Sequence, residues 1–292
     1  MSLVRQSPCK INLILNILGK RPDGFHELET VFQPVPLHDL LEFTRLTAPE
    51  LRFTCNHPEL PTDASNLVVR AAQLFFTTAG FAPSTAIHLE KRLPLAAGLA
   101  GGSANAAVTL SALHELYHHP FPHLQLISLA ESLGSDVPFF LQDRPALALG
   151  RGEQVQPLDA FPALKGKTLF LIHPGFGIAT AWAYRELARF PTALHGKPGR
   201  AVDLIQSLQT QPLPVAGTHF YNSLEAPALH KYPILALYQE HLRHAGAEAV
   251  LMSGSGSTTF AIFDHSRTAE QAVESFKSEF GSDAWIRLVP LA

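Results

Sequence analysis

The pattern of hydrophobic and polar positions switches repeatedly between the spacing of strands and the spacing of helices. Dense or alternating apolar residues predict strands, and apolar residues three or four positions apart predict helices. The predicted strands are 10–18, 28–37, 40–46, 51–55, 84–92, 145–149, 153–158, 167–173, 248–252, 258–263 and 285–289. The predicted helices are 66–79, about 103–118, about 124–133, 180–189, 202–208, 233–245 and 268–279. This irregular order lacks the repeated strand–helix unit of a barrel and favours an α+β fold with antiparallel sheets.

A stretch with two prolines and few strong structure formers, 157–162 (PLDAFP), lies near the middle of the chain. Domain boundaries fall in segments of this kind, so we predict two domains, 1–160 and 161–292.

Composition and charge exclude several classes of protein. The 292 residues are 46% hydrophobic and 16% charged, which excludes intrinsic disorder. The net charge of −3 argues against a nucleic-acid partner held by phosphate neutralisation. There is no apolar run long enough for a membrane span and no signal-peptide pattern. The two cysteines, Cys9 and Cys55, do not form a CxxC motif. We therefore expect a cytoplasmic protein; its oligomeric state is not defined by the sequence.

The segment Leu93–Asn105, LPLAAGLAGGSAN, is here called the glycine loop. Gly98, Gly101 and Gly102 precede an apolar-patterned helix, whose first N–H groups and dipole would attract an anion. Ser103 would cap the helix or bind a phosphate oxygen. The alternative is a tight connection between a strand and a helix. The loop is neither a Walker A motif nor GxGxxG.

A second candidate, here called the serine turn, is Ser253–Ser257, SGSGS, between two apolar strands. Exposed N–H groups of Gly254, Ser255 and Gly256 would form an anion or substrate nest. The alternative is a flexible hairpin tip.

A third candidate is the corner Gly134-Ser135-Asp136-Val137-Pro138. Gly134 is expected to end a helix in the left-handed conformation, and Pro138 is expected to hold Val137 extended. Asp136 would then be a fixed carboxylate, either capping a turn or serving as a general base.

Residues 114–118, His-Glu-Leu-Tyr-His, match the HExxH pattern of zinc peptidases. The match lies in the last turn of its predicted helix, and Phe121 and Leu124 stand where a metzincin needs Gly and His. A zinc site on His114, Glu115 and His118 is therefore only a distant alternative to partly exposed histidines at a helix end.

Four segments in order along the chain resemble the GHMP family of small-molecule kinases, which includes galactose, homoserine, mevalonate and phosphomevalonate kinases. They are SPCKINLILNILGKRPDGFHELETVF, LPLAAGLAGGSANAA, LGSDVPFF and LMSGSGST. The resemblance implies an N-terminal domain like domain 2 of ribosomal protein S5, in 1–160, and a ferredoxin-like C-terminal domain, in 161–292. It also implies ATP-dependent phosphorylation of the 2-hydroxyl of 4-diphosphocytidyl-2-C-methyl-D-erythritol in the non-mevalonate isoprenoid pathway, with Mg²⁺ on unidentified ligands.

The same resemblance assigns roles to residues. Asp136 matches the catalytic base and Lys10 the catalytic lysine. Positions matching the ATP and phosphate site are Asn66, Leu95, Ala96, Ala97, Gly98, Leu99, Ala100, Gly101, Gly102, Ser103 and Asn105. Positions matching the substrate site are Asn12, Phe25, His26, Phe32, Thr180, Tyr184, Gly254, Ser255 and Gly256. For Phe25 and Phe32 the alternative is core packing, and for Lys10 it is a solvated strand lysine.

Two features bear on the specificity and conformation of the site. The Gly24-Phe25-His26 segment favours a cytidine substrate over the homoserine or mevalonate types of GHMP kinase, which remain the alternative. Alanines 96, 97, 100 and 104 stand where the family usually has glycine or serine, and they are expected to stiffen the glycine loop.

Overall fold

The computed structural model of the protein describes residues 2–291, and strands and helices alternate along them. The strands are β1 (Ser2–Lys20), β2 (His26–Arg45), β3 (Leu51–Cys55), β4 (Thr85–Glu90), β5 (Ala146–Leu149), β6 (Gln154–Pro157), β7 (Thr168–His173), β8 (Tyr221–Asn222), β9 (Ala249–Met252), β10 (Thr259–Phe263) and β11 (Trp285–Pro290). The helices are α1 (Leu67–Ala79), α2 (Gly101–Leu116), α3 (His123–Leu133), α4 (Thr180–Glu186), α5 (Pro191–Leu194), α6 (Arg200–Thr210), α7 (Leu213–Ala216), α8 (Glu225–Lys231), α9 (Ile234–His244) and α10 (Ser266–Phe280). Short 3₁₀ turns occupy Pro138–Leu141, Pro162–Leu164, Leu187–Arg189 and Gly217–His219.

The chain forms two compact units. The first comprises the chain up to Cys9, Pro36–Leu93 and Ala100–Asp143. The second comprises Lys10–Val35, Pro94–Leu99 and the chain from Arg144 onwards. The domain boundary between 160 and 161 remains a prediction of the sequence.

In the first unit, three helices pack beside a short part of a sheet. β3 and β4 are parallel, with Leu51 opposite Thr85, and the connection between them carries α1. Asn66 begins α1 by accepting a hydrogen bond from the Val68 N–H, and Gly80 ends it at φ 68°. Aromatic rings fill the core, where the rings of Phe75 and Phe121 lie 5.4 Å apart and those of Phe76 and Tyr117 lie 5.2 Å apart.

In the second unit, the strands from β7 onwards form a sheet in the order β11-β7-β10-β9, with every neighbouring pair antiparallel. Helices connect β7 to β9 and β10 to β11, which is the arrangement of a ferredoxin-like fold. Buried Phe170, Phe263 and Phe276 form its core. A second group of strands runs β6-β5-β2-β1-β8, with β8 parallel to β1.

The α+β class predicted from the sequence is confirmed, but several details were wrong. The β3–β4 and β1–β8 pairs are parallel. Between β3 and β4, the connection through α1 returns the chain in the same direction. The predicted strands 28–37 and 40–46 are one strand, β2, which continues through Pro34 and Pro36. The pattern did not predict α5, α7, α8 or β8, which are too short for a periodic signal. Among residues 2–291, no helix combines the length and the apolar character needed to cross a bilayer.

Candidate active site

Lys10 and the glycine loop come together in the second unit. Lys10 is 4% exposed, so it is not the solvated strand lysine of the alternative. Its Nζ donates a 2.6 Å hydrogen bond to Asn12 Oδ1 and lies 3.5 Å from the Gly98 carbonyl oxygen. The two side chains share a face of β1 because they are two residues apart. The Lys10 N–H also donates to the Leu99 carbonyl at 3.2 Å, which fixes the strand against the loop.

A hydrogen-bond chain sets the orientation of Asn12. Its Nδ2 donates to Thr30 Oγ1 at 2.8 Å, and Thr30 in turn donates to the Ile14 carbonyl at 2.5 Å. Because the amide nitrogen is engaged with Thr30, the amide oxygen is turned to the Lys10 ammonium. Thr30 is a site residue that sequence reasoning missed; its only signal was a polar residue within an apolar strand.

The serine turn is buried and packs on the glycine loop. Ser253 Oγ donates to the Gly98 carbonyl at 3.0 Å, and the Thr258 N–H donates to the Ala97 carbonyl at 3.2 Å. Gly98 has φ +77°, and a Cβ there would lie 2.0 Å from the Ser253 carbonyl oxygen. The turn is therefore not a flexible hairpin tip, since its residues are buried and are hydrogen-bonded to the glycine loop.

The glycine loop also contains left-handed alanines. Ala96 has φ 48° and Ala100 has φ 56°, a conformation that costs an L-residue about 1–2 kcal/mol. Ala100 is the N-cap of α2, so Ser103 lies within the helix and does not cap it as the sequence had suggested. Ala100 provides no side-chain cap, so the N-cap residue leaves the first N–H groups of α2 without a side-chain acceptor. In the first unit, that end can accept an anion.

A buried carboxylate lies beneath the start of α2. Asp39 is fully buried and accepts hydrogen bonds from the Arg92 and Leu93 N–H groups at 2.8 and 2.9 Å. Lys91 Nζ donates to it at 2.6 Å and Asn105 Nδ2 at 3.2 Å. The expected contact of Asn105 with ATP stays a prediction; its Nδ2 is bonded to Asp39, while its Oδ1 is buried with no partner among the described residues. The sequence contained no signal for this cluster, because its members are far apart along the chain.

Asp136 is half-buried in the first unit, between α3 and the 3₁₀ turn Pro138–Leu141. Both expectations for its neighbours were wrong. Gly134 is extended at φ 166°, and Val137 is helical at φ −65° and ψ −43°. Val137 is drawn into the turn because its carbonyl accepts the Phe140 N–H at 3.1 Å. The corner is therefore tighter than the sequence predicted.

Two candidate substrate residues lie at the β1–β2 hairpin of the second unit. Phe25 is 52% exposed, and its ring lies 4.6 Å from the Arg151 guanidinium carbon. The rings of His26 and Tyr184 are 5.0 Å apart. Burial lowers the pKa of His26 below its usual value, and the charge of Lys20 lowers it further, so the imidazole is neutral at pH 7. An exposed aromatic ring and a neutral imidazole suit a nucleobase.

Other candidates have contacts within their own units. Phe32 is 1% exposed, as its packing alternative expected, and Lys10 Nζ lies 5.1 Å from its ring centroid. Thr180 begins α4, and its Oγ1 is 3.1 Å from Ser255 Oγ. Asn66 caps α1 and donates to the Pro61 carbonyl at 2.9 Å. These contacts hold the residues in place; their proposed roles towards ligands stay predictions.

The HExxH pattern does not form a zinc site. Helix α2 ends at Leu116, so His118, at φ 62°, is outside the helix and not on the face of His114. His114 is buried, with Nε2 2.7 Å from the Phe121 carbonyl oxygen and Nδ1 3.1 Å from His119 Nδ1. Glu115 forms a 2.6 Å ion pair with Arg5. Within residues 2–291, no three His, Cys, Asp or Glu side chains converge as metal ligands.

Comparison with known proteins gives one consistent result. The model of the GHMP kinases N terminal domain matches residues 66–144, and that of the GHMP kinases C terminal domain matches 206–283. A relative from Pelotomaculum thermopropionicum, named 4-diphosphocytidyl-2-C-methyl-D-erythritol kinase, is 39% identical over 95% of this chain and 94% of its own length. A crystal structure of 4-(cytidine 5'-diphospho)-2C-methyl-D-erythritol kinase has a TM-score of 0.78 at 34% identity, covering 99% of this chain and 100% of its own. A homoserine kinase from Cytophaga hutchinsonii shares the fold, with a TM-score of 0.76 at 19% identity, covering 100% of this chain and 94% of its own.

Proposed function

Since this chain belongs to the 4-diphosphocytidyl-2-C-methyl-D-erythritol kinase family of the GHMP kinases, we propose that it phosphorylates the 2-hydroxyl of 4-diphosphocytidyl-2-C-methyl-D-erythritol with ATP. The reaction is a step of the non-mevalonate isoprenoid pathway. The family matches also confirm the expected two-domain GHMP kinase fold and a small-molecule kinase activity.

The observation that carries this proposal is the contact of buried Lys10 and buried Ser253 with Gly98 in the second unit. Phosphoryl transfer is catalysed mainly by positioning and by charge stabilisation. An ammonium held at 2.6 Å by Asn12 Oδ1, against a loop too tight for any side chain at Gly98, supplies both. The arrangement places a cation beside a backbone segment that a ligand can approach closely. Binding a polyphosphate requires both features.

We assign Asp136 as the general base and Lys10 as the cation that offsets charge on the transferred phosphoryl group. The substrate hydroxyl must lose its proton as it attacks the γ-phosphorus, and a positioned carboxylate can accept that proton. The rigid corner around Asp136, pinned by the Val137–Phe140 hydrogen bond, supports this role.

ATP and Mg²⁺ are the expected co-substrate and cofactor. The uncapped start of α2 and the glycine loop fit the phosphates. Mg²⁺ usually binds through substrate phosphates and one or two protein ligands. When bound, Mg²⁺ would neutralise charge on the phosphates. Ala104 has no hydroxyl to contribute a ligand.

On the substrate side, Phe25 would stack on the cytosine and neutral His26 would read its edge, with Tyr184 beside it. The exposure of Phe25 and the lowered pKa of His26 support these roles. The homoserine and mevalonate types are not favoured, because the likeness to the homoserine kinase, at 19% identity, concerns the fold alone.

A coupled ADP-release assay tests the proposal, with cytidine-diphosphate methylerythritol, homoserine, mevalonate and galactose as acceptors. We expect turnover with the cytidine compound to exceed turnover with the others by at least 10³-fold, on the order of a site that hydrogen-bonds its substrate. Preference for homoserine or mevalonate would replace the proposal with its alternative.

We also propose a cytoplasmic location. Cys9 and Cys55 are not joined in a disulfide, which suits a reducing compartment. Recovery of the protein from a membrane or secreted fraction would contradict this.

A further inference from the structure

The serine turn is held by a side chain that no motif identified. Asn222, in β8, is 2% exposed, and its Nδ2 donates to the Met252 carbonyl at 2.7 Å and to the Gly254 carbonyl at 2.8 Å. Its Oδ1 accepts the Leu224 N–H at 2.9 Å. Both amide hydrogens therefore bind the two carbonyls that flank Ser253, so the amide determines the path of the backbone there.

A second side chain from the same segment holds the other backbone group of Met252. Glu225 Oε1 accepts the Met252 N–H at 2.8 Å and the Gln239 amide at 2.5 Å. Met252 ends β9, the edge strand of its sheet. Its outward N–H and C=O would otherwise lack partners in a buried place, which is costly. Asn222 and Glu225 together thus replace a neighbouring strand at this point.

The segment is in turn anchored to the strand that carries Lys10. Residues Leu15 and Asn222 are paired in the β1–β8 ladder, and the Ser223 N–H donates to the Leu15 carbonyl at 2.8 Å. The serine turn is thereby fixed relative to β1. In the serine turn, Ser253 Oγ donates to the Gly98 carbonyl oxygen at 3.0 Å. That carbonyl oxygen also lies 3.5 Å from Lys10 Nζ.

We propose that Asn222 is a positioning residue for phosphoryl transfer: through the Met252 and Gly254 carbonyls it aims the Ser253 hydroxyl at Gly98, and so holds the glycine loop against Lys10. The inference rests on the proposed function. Asn222 touches neither reactant in this scheme. Its effect passes through Ser253, which makes the two residues energetically coupled.

The test compares Asn222→Ala, Ser253→Ala and the double variant, with Asn16→Ala as the matched control. Asn16 is also a buried amide of the second unit that donates two hydrogen bonds, to Glu29 Oε1 at 2.9 Å and to the Lys197 carbonyl at 2.8 Å, but it does not contact the serine turn. Kinetics are measured below the unfolding transition of every variant. Ser253→Ala removes a single hydroxyl and keeps the experiment informative if Asn222→Ala does not fold.

We expect Asn222→Ala and Ser253→Ala each to lower kcat by about 10- to 100-fold, the scale of a small misplacement of catalytic groups. The double variant should be no slower than the slower single variant. Asn16→Ala should stay within about threefold of the parent. Multiplying effects in the double variant, or equal losses for Asn222→Ala and Asn16→Ala, would overturn the proposal.

Hydrogen exchange supplies a readout independent of activity. The Ser253 N–H is bonded to the Thr258 carbonyl and the Gly256 N–H to the Ser253 carbonyl, both at 2.9 Å. These amides should exchange at least tenfold faster in Asn222→Ala and at an unchanged rate in Asn16→Ala. Unchanged rates in both variants would mean that Asn222 does not hold the serine turn. If the parent protein transfers no phosphate to any acceptor, the proposed function fails. The exchange rates would still show whether Asn222 holds the serine turn.

Discussion

Gly98 is the position where a single added methyl group should damage the site most. An alanine would keep the positive φ of 77°, which costs about 1–2 kcal/mol. Its Cβ would also lie 2.0 Å from the Ser253 carbonyl oxygen and 3.0 Å from the Gly256 nitrogen, both backbone atoms that cannot rotate away. Overpacking of this kind costs about 1–3 kcal/mol, so Gly98→Ala should cost about 2–5 kcal/mol in total.

The clash cannot be relieved without separating the glycine loop from the serine turn. That movement breaks the 3.0 Å hydrogen bond from Ser253 Oγ to the Gly98 carbonyl. It also shifts the glycine loop, which contacts Lys10. We therefore expect kcat to fall by about 100-fold, the effect of a misplacement near 1 Å. Steady-state ADP release and thermal unfolding, measured on the same preparation, give the two quantities.

Gly166→Ala is the matched control. Gly166 has φ +74°, nearly that of Gly98, but a Cβ there would meet nothing within 4 Å. It should therefore cost only the backbone strain, about 1–2 kcal/mol, and leave the kinetics unchanged. If Gly98→Ala matched Gly166→Ala in both stability and turnover, the packing of the two loops would have no role in catalysis.

Three further predictions concern other parts of the site. Asp136→Asn should lower kcat by about 10²–10⁴-fold in the ADP-release assay, because a general base is lost, while calorimetric ATP binding persists. Phe25→Ala should raise KM for the cytidine substrate by about 5- to 150-fold, equivalent to about 1–3 kcal/mol of lost stacking. Glu225→Gln should gain stability relative to the parent in urea unfolding as pH rises above 4.5. Burial raises the pKa of Glu225 above its usual 4.5, so the unfolded chain loses that proton first and the parent loses stability as pH rises through the folded pKa.

Each of these predictions has a control and a contrary result. Asp143→Asn changes an exposed carboxylate of the same unit and should have no effect; normal turnover in Asp136→Asn would remove Asp136 from the chemistry. Phe81→Ala removes another exposed ring, 41% accessible, and should leave KM unchanged; an unchanged KM in Phe25→Ala would limit Phe25 to a structural contact. A stability difference for Glu225→Gln that is independent of pH would mean that ionisation of Glu225 is not the cause.

Strong local patterns predicted much of the fold. Helix α1 was found with both ends, because Asn66 and Gly80 are caps that act within a few residues. The strands β7, β9, β10 and β11 were found to within a residue, since each is a short apolar run between polar segments. These signals depend on neighbours in sequence, which a single chain displays directly.

Features that depend on distant residues were not predictable. Val137 is helical because of its bond to Phe140, against the extended preference that Pro138 imposes. Asp39 acquires its partners only when β2, β4 and α2 come together, and nothing in the segment LHDLLEF distinguishes it from a surface carboxylate. The role of Asn222 was not predictable for the same reason, because its contacts with the serine turn join residues that are 30 and 32 positions apart.

The identity of the phosphorylated oxygen tests the central claim most directly. In a 2-C-methylerythritol unit, carbon 2 bears the methyl group and no hydrogen. A phosphate on its oxygen therefore has no proton three bonds away, and proton-coupled phosphorus NMR of the product should show a new phosphomonoester singlet beside the diphosphate resonances. A doublet or triplet would place the phosphate on another hydroxyl, and the absence of any new monoester would contradict kinase activity on this substrate.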